Sequence, residues 1–411
     1  MCPVKLIATA AFGLESLVAR ELSDLGYGEN SVENGRVSFA APEEALCRSN
    51  LWLRCADRVL LVMGEFVARS FEELFQGVRA LPWEAWLGRD ARFPVTGSSV
   101  KSQLHSVPDC QAIIKKAVVE RLKSVYHESW FPEEGPLFPI RFFLLKDKVT
   151  VCFDTSGQGL HKRGYRALAG EAPLKETLAA AMIRLSRWRE DRALIDPCCG
   201  TGTIPIEAAL MALNRAPGLG RDFVAEAWPA LRTDLWVRAR EEARDLVRNV
   251  KCSIYGSDID DAALGLARRH AREAGVEGKV FFQRLAAGET RSRFSYGHLI
   301  TNPPYGRRLA GNVQCANGQM KEIACDVQVV KNGADMGEVT EVYRELGMAL
   351  EALPTWSLHF LTASVRPEQF IGRRWDKSRK LYNGRIECHY YQFFGPKPPP
   401  RRVEGIHEIL E

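Results

Sequence analysis

At 411 residues, with 46% hydrophobic and 26% charged side chains, the chain is long enough for a sizeable core and more than one domain, and collagen-like, wholly disordered and disulfide-scaffold classes are excluded. The formal charge is +5, with 56 basic against 51 acidic residues, and its distribution says more than its size. Residues 1–165 hold 20 basic and 20 acidic side chains, whereas 366–403 hold 10 against 3, which points to a polyanion near the C-terminal end.

No apolar run approaches the roughly 18 residues of a spanning helix, and the first residues lack the charged-then-apolar order of a signal peptide. A soluble, unprocessed protein with no membrane partner is expected. The eleven cysteines form no CxxC pair and only Cys198 and Cys199 are adjacent, which argues against a zinc ribbon or a disulfide framework and for a reducing cytoplasm.

In chain order, a strand over 5–9, a helix over 14–25, a strand over 36–39 after the turn dipeptide Asn34-Gly35, and a helix over 42–50 read as a small α+β unit. A second such unit follows, with strands at 91–95, 140–145 and 149–153 around a helix over 110–126. The basic segment His161-Lys-Arg-Gly-Tyr-Arg166 then suits either a hinge with phosphate contacts or an exposed connector.

From about 174 the rhythm changes to alternating helix and strand. Helices are expected over 174–188, 205–213, 235–250, 261–274 and 339–353, and strands over 193–196, 253–257, 279–284, 298–301 and 357–363. This alternation implies right-handed crossovers and a mostly parallel, doubly wound sheet. Asn383-Gly384, inside 380–393, suits the two-residue turn of an antiparallel hairpin that closes the sheet. The Pro-rich stretch from Gly395 to Arg402 reads as a tail.

Three motifs carry chemistry. Asp196-Pro-Cys-Cys-Gly-Thr-Gly-Thr203 follows the first strand of that half and runs into a helix. Gly200 and Gly202 remove side chains where a ligand approaches the backbone, at the carboxyl edge where open α/β sheets bind ligands. The dinucleotide fingerprint would require a third glycine where Pro205 stands, and no Gly-Lys-Ser/Thr follows for a P-loop, so a nicotinamide dehydrogenase is disfavoured. Ile254-Tyr-Gly-Ser-Asp258 ends the next strand in a carboxylate able to accept both ribose hydroxyls of a nucleoside cofactor. Leu299-Ile-Thr-Asn-Pro-Pro-Tyr-Gly306 ends a later strand. Its prolines hold Asn302 and the nearby carbonyls as rigid acceptors, and Tyr305 adds a flat face, which suits a nucleobase carrying an exocyclic amine.

Together these motifs resemble the S-adenosylmethionine (SAM) loop, acidic ribose clamp and catalytic motif of class I amino-methyltransferases. The chain is most similar to bacterial THUMP-domain RNA methyltransferases, the group that includes the 23S rRNA guanine-N2 enzymes. The segments 154–166, 172–179 and 380–388 are also similar to that group's junction, the helix before its SAM loop, and its closing hairpin. The stretch 107–116 matches its THUMP unit.

The resemblance implies a Rossmann-like α/β methyltransferase domain over 174–395, with a mostly parallel sheet closed by an antiparallel hairpin. A ferredoxin-like unit over 1–60, an RNA-binding THUMP domain over 61–155 and a linker over 156–173 precede it, and a tail over 396–411 follows. It implies that Asp196, Pro197, Cys198, Gly200, Thr201, Gly202, Thr203, Asp258, Ile259 and Ala286 surround SAM. Asn302, Pro303, Pro304 and Tyr305 would hold the target base.

The expected reaction is SAM-dependent methylation of a guanine N2 amine in RNA, most consistent with 23S rRNA. A tRNA guanine-N2 enzyme, an adenine-N6 enzyme and a catalytically weak RNA-binding or ribosome-assembly protein are the alternatives. Two departures from the family stand out. Ala286 occupies the place of the acidic residue that reaches the cofactor's adenine amine, and an apparent insertion over 310–335 carries Cys315 and Cys325.

Overall fold

The computed structural model describes residues 3–166, 174–304, 336–363, 367–384 and 386–399. Two seven-stranded mixed sheets organise the chain. The 310–335 insertion, with Cys315 and Cys325, lies outside the described residues, as does 400–411 of the tail.

The first sheet begins with β1 (Val4–Ala10), α1 (Glu15–Asp24), β2 (Asn30–Glu33), β3 (Arg36–Ala41) and α2 (Glu44–Trp52). It continues through β4 (Ala56–Val67), α3 (Phe71–Arg79), β5 (Val95–Val100), α4 (Val107–Tyr126), β6 (Ile140–Leu145) and β7 (Lys148–Asp154). The strand order is β2-β3-β1-β4-β7-β6-β5.

Strand β4 joins what sequence reading separates. Its first half pairs antiparallel with β1 and its second half with β7, so position 60/61 falls within one strand and the two α+β units share a sheet. Val59, Leu60 and Leu61 are all buried, so the strand is covered on both faces and shows no polar–apolar alternation to read. The strand expected at 91–95 begins where that segment ends, at Val95. Arg92 forms only an isolated bridge to Leu137, and Pro94 has no amide proton for a ladder.

The second half runs through α5 (Glu176–Ser186), β8 (Leu194–Asp196), α6 (Thr203–Ala212), α7 (Thr233–Asp245), β9 (Ile254–Asp258), α8 (Asp261–Glu273), β10 (Val280–Arg284) and β11 (His298–Thr301). It ends with α9 (Met336–Ala352), β12 (Ser357–Thr362), α10 (Glu368–Ile371), β13 (Lys377–Asn383) and β14 (Ile386–Phe393). The order is β10-β9-β8-β11-β12-β14-β13. Strands β8 to β12 are mutually parallel, and β14 and β13 add antiparallel to that edge. The closing turn falls one residue later than expected, because Asn383 pairs with Ile386 and Gly384, at φ +65°, follows the strand.

The halves are fused. One apolar cluster reaches from Leu6 on β1 to Tyr390 on β14. Trp228 stacks on Phe138 at 4.7 Å and donates its indole N–H to the Leu137 carbonyl at 2.8 Å. Arg48 on α2 grips Glu242 on α7 through two hydrogen bonds of 2.9 and 2.8 Å.

In the segment 161–166, two of the basic residues take a structural part that neither sequence reading includes. Arg163 is buried, lies 3.5 Å from Glu207 and donates to the carbonyls of Leu160 and Arg54. Arg166 donates to Glu176 at 3.0 Å and to the Thr203 hydroxyl at 3.2 Å. Both cations therefore hold protein together, and breaking such a pair by removing one partner costs about 3–5 kcal/mol.

Within the second sheet, His298 Nδ1 lies 3.2 Å from His359 Nε2 and the rings stack at 5.3 Å. Burial pushes His298 down to about 4, with Arg192 adding to the effect, and pushes His359 well below its ordinary value. Both rings are thus neutral in the fold, whereas in the unfolded chain they protonate near 6.5. Their contribution is complete above pH 6.5 and is lost as the pH falls from 6.5 towards 4. Between pH 7 and pH 5 the urea midpoint of His359→Gln is expected to fall by less, or rise by more, than that of the unaltered protein. An equal change in the two proteins would rule the pair out as a source of the pH dependence.

Candidate active site

The carboxyl ends of β8, β9, β10 and β11 lie on one edge of the second sheet, and a cavity of about 510 Å³ opens there. Pro197, Cys198 and Gly200 line it from the loop after β8, Asp258 and Ile259 from the end of β9, and Asn302, Pro303 and Pro304 from the end of β11. These three segments lie more than forty residues apart in sequence and meet because parallel crossovers bring every strand end to the same side.

Hydrogen bonds fix them to one another. The Gly200 N–H donates to Asp258 Oδ2 at 2.8 Å, and the Asp260 N–H to Asp258 Oδ1 at 3.0 Å. Each carboxylate oxygen keeps a lone pair for a further donor. Ile259 is 69% exposed, an apolar side chain left open on the wall beside that carboxylate.

Asp196 does not line the cavity. It is 2% exposed, and its Oδ1 accepts from the Thr301 hydroxyl at 2.6 Å and the Cys198 N–H at 3.2 Å. It therefore clamps the end of β8 to the residue before Asn302. Burial pushes its carboxyl up to about 7, against the pull of those two donors, and nearby Asp258 adds to the rise. This contribution to stability has the opposite sign to that of the histidines: it is full below about 4 and is lost as the pH rises through 7.

Thr201, Gly202 and Thr203 do not line the cavity either. The Thr201 carbonyl is 3.1 Å from His270 Nδ1, and Thr203 accepts from Arg166. Gly202, at φ +83°, opens α6, and a Cβ there would come 2.9 Å from the Phe282 ring and 3.0 Å from Ala267. Of the two glycines in this loop, Gly200, at φ +50° and with nothing near its missing Cβ, is the one that faces open space. Gly202→Ala is expected to lower the unfolding free energy by about 2 kcal/mol through strain and overpacking. Gly200→Ala should lower it by only about 1 kcal/mol. Urea unfolding of the two variants side by side checks this, and equal losses would refute the distinction.

Among the described residues, Asn302 Oδ1 is buried and has no hydrogen-bond partner. Buried acceptors are nearly always satisfied, and this one stands among the residues that line the cavity. Tyr305 lies outside the described residues. Ala286 does not line the cavity; its N–H donates to Glu289 at 3.3 Å, and its neighbour Ala287 forms the wall.

Sequence reading missed Val342 and Glu345, which line the cavity from α9. Their i,i+3 spacing puts both on one helix face, but no motif marks them. It also passed over Gly256, where a Cβ would lie 2.8 Å from Phe282 and 3.0 Å from Cys199 Sγ. Burial raises the Cys198 and Cys199 thiols well above their ordinary value, so neither is a thiolate nucleophile at neutral pH. Among the described residues, no group of three or more His, Cys, Asp or Glu side chains is placed to hold a metal, and no helix is long and apolar enough to cross a membrane.

A parallel sheet of this order, closed by an antiparallel hairpin and carrying a glycine loop, a strand-end aspartate and an Asn-Pro-Pro corner around one cavity, defines a class I methyltransferase. Three family models match the chain in succession: the RlmL ferredoxin-like domain over residues 5–60, the THUMP domain over 68–154 and the RMKL-like methyltransferase domain over 163–320. The chain belongs to the THUMP-domain RNA methyltransferase family.

It is 43% identical to the Bacillus subtilis protein named "Putative RNA methyltransferase YpsC", over 97% of each chain. It is 34% identical to the ribosomal RNA large subunit methyltransferase K/L of Psychromonas ingrahamii over 96% of this chain, and spans about half (51%) of that longer relative. The crystal structure described as "SMU.472, a putative methyltransferase complexed with SAH" superposes with a TM-score of 0.85 at 43% identity, covering 97% of this chain and 100% of that one.

Proposed function

We propose that this protein transfers a methyl group from SAM to the exocyclic N2 amine of a guanine in large-subunit ribosomal RNA. The observation that carries this reading is the buried Asn302 Oδ1, unpartnered among the described residues, in one cavity with Gly200 and Asp258. The cavity's volume lies within the range of small-molecule sites. The ribosomal target is supported by the name of the K/L relative, and the cofactor by the SAH complex of SMU.472.

When bound, SAM supplies an electrophilic methyl group on its sulfonium. Asp258 accepts the cofactor's ribose hydroxyls, and Gly200 leaves room for its approach. Glu345, whose Cγ would lie 3.3 Å from a Cβ added at Gly288, supplies on this wall the carboxylate that Ala286 lacks, as acceptor for the adenine amine.

An aromatic amine is a poor nucleophile because its lone pair is delocalised into the ring. Asn302 Oδ1 and the Pro303 carbonyl accept the amine's two N–H bonds, which favours a pyramidal nitrogen with its lone pair directed at the methyl. Positioning and electrostatics thus do most of the catalysis, and no strong general base is required. The base reaches the cavity extruded from its stack, at a cost of a few kcal/mol.

The test is to incubate the protein with labelled SAM and total RNA from a strain that lacks it, then to map the label. N2-methylguanine in 23S rRNA is expected. Label in tRNA or on adenine N6 would overturn the target, and heat of SAM binding without any label would overturn the activity.

A further inference from the structure

A second pocket, of about 420 Å³, lies where the two ends of the chain meet. The loop after β1 forms one wall with Phe12, and the closing hairpin forms the other with Tyr382. Asp57 and Lys175 also line it. The contact between loop and hairpin is specific. Arg379 donates to the Gly13 carbonyl at 3.3 Å, and a Cβ on Gly13, at φ +89°, would come 2.9 Å from the Lys380 carbonyl.

Its position on the fold is informative. Thr362, the last residue of β12, pairs with His389, whereas Asn383 pairs with Ile386, so the hairpin tip overhangs the sheet by three residues. That overhang is on the carboxyl edge, the edge that carries Asn302. Lys175 stands immediately before α5, and α5 runs back from this same edge into β8.

The chemistry of the walls is that of a base-recognition site. Phe12 is 51% exposed and meets Tyr382 edge to face at 6.0 Å and 78°, which leaves ring surface open. Lys380 lies 5.6 Å over the Tyr382 ring and pairs with Glu387 at 2.6 Å. The Asp57 carboxylate has no hydrogen bond or ion pair among the described residues, and Lys175 is the cation that acts on it most strongly, ahead of Arg58 and Arg163.

We propose that this pocket holds a guanine of the same RNA strand that carries the target, stacked on Phe12 and met edge-on by Tyr382, with its Watson–Crick edge on Asp57 and its phosphate on Lys175. Stacking is indifferent to base identity, so Asp57 sets the choice. A carboxylate takes two neighbouring N–H donors at once, and of the four bases only guanine presents such a pair, at N1 and N2. The inference rests on the RNA-methylating reading above and adds to it a second, non-reacting base contact.

Two measurements on the full chain test it. Irradiation at 254 nm with total rRNA is expected to yield a cross-linked peptide containing Phe12 or Tyr382 that carries guanine; cross-links at this peptide to other bases only, or none here, overturn the proposal. Phe12→Ala and Asp57→Asn are expected to raise KM for RNA at least about fivefold, with kcat and SAM affinity within about twofold. An unchanged KM in both overturns it, as does an equal loss of SAM affinity, which would mark the residues as structural. Should no RNA be methylated by the unaltered protein, the functional reading fails, and the cross-link still decides the pocket.

Discussion

Asn302→Ala is expected to abolish methyl transfer, with single-turnover rates falling by about a thousandfold, the upper end of what one preorganised polar group contributes at a reacting centre. SAM affinity measured by calorimetry should change by no more than about twofold. The asymmetry follows from the structure: among the described residues the buried Asn302 Oδ1 has no partner, so its removal breaks no described hydrogen bond of that oxygen, while the incoming amine loses the acceptor that shapes its lone pair. Asn302→Asp retains an acceptor at the same place and should recover part of the rate. A large loss of SAM binding in Asn302→Ala would show that the residue serves the cofactor instead.

Asp258→Ala should do the reverse. Its carboxylate is expected to accept the cofactor's ribose, and it already accepts the Gly200 N–H at 2.8 Å, so its loss removes a ligand contact and frees the loop on which the ligand rests. Hydrogen bonds to a charged group contribute about 1.5–3 kcal/mol each, which predicts a rise in the SAM dissociation constant of about a hundredfold. Turnover at saturating SAM should fall far less. Asp258→Asn, which keeps one oxygen acceptor, should lie between. An Asp258→Ala protein that binds SAM normally would displace the ribose clamp from this position.

Much of this arrangement was legible in the sequence, for identifiable reasons. The parallel half was readable because each strand–loop–helix unit carries its own punctuation: β9 ends on Asp258 and α8 opens on the Asp260 cap, whose side chain accepts the Ala262 N–H. The Asn302 corner was readable because two prolines restrict the backbone whatever surrounds them. For Asp196 the family resemblance implies a place on the cavity wall; only the fold shows Thr301 drawing it inward. The two glycines of the loop look alike in sequence, yet Gly202 makes room for Phe282, a residue eighty positions away. Glu345 and the Phe12–Tyr382 pocket depend wholly on which distant segments come together, and local pattern holds no record of that.

The fused core has a consequence for how the substrate is chosen. Because β4 is common to both N-terminal units and a single apolar cluster runs on into the catalytic half, the distance from the THUMP surface to the Asn302 corner is set by the fold. On the RNA-methylating reading proposed above, an RNA docked on that surface is expected to be modified only where the span from the docked feature to the offered nucleotide matches this fixed length. Lengthening or shortening a substrate stem by a base pair should then silence it even though every contacted nucleotide is retained.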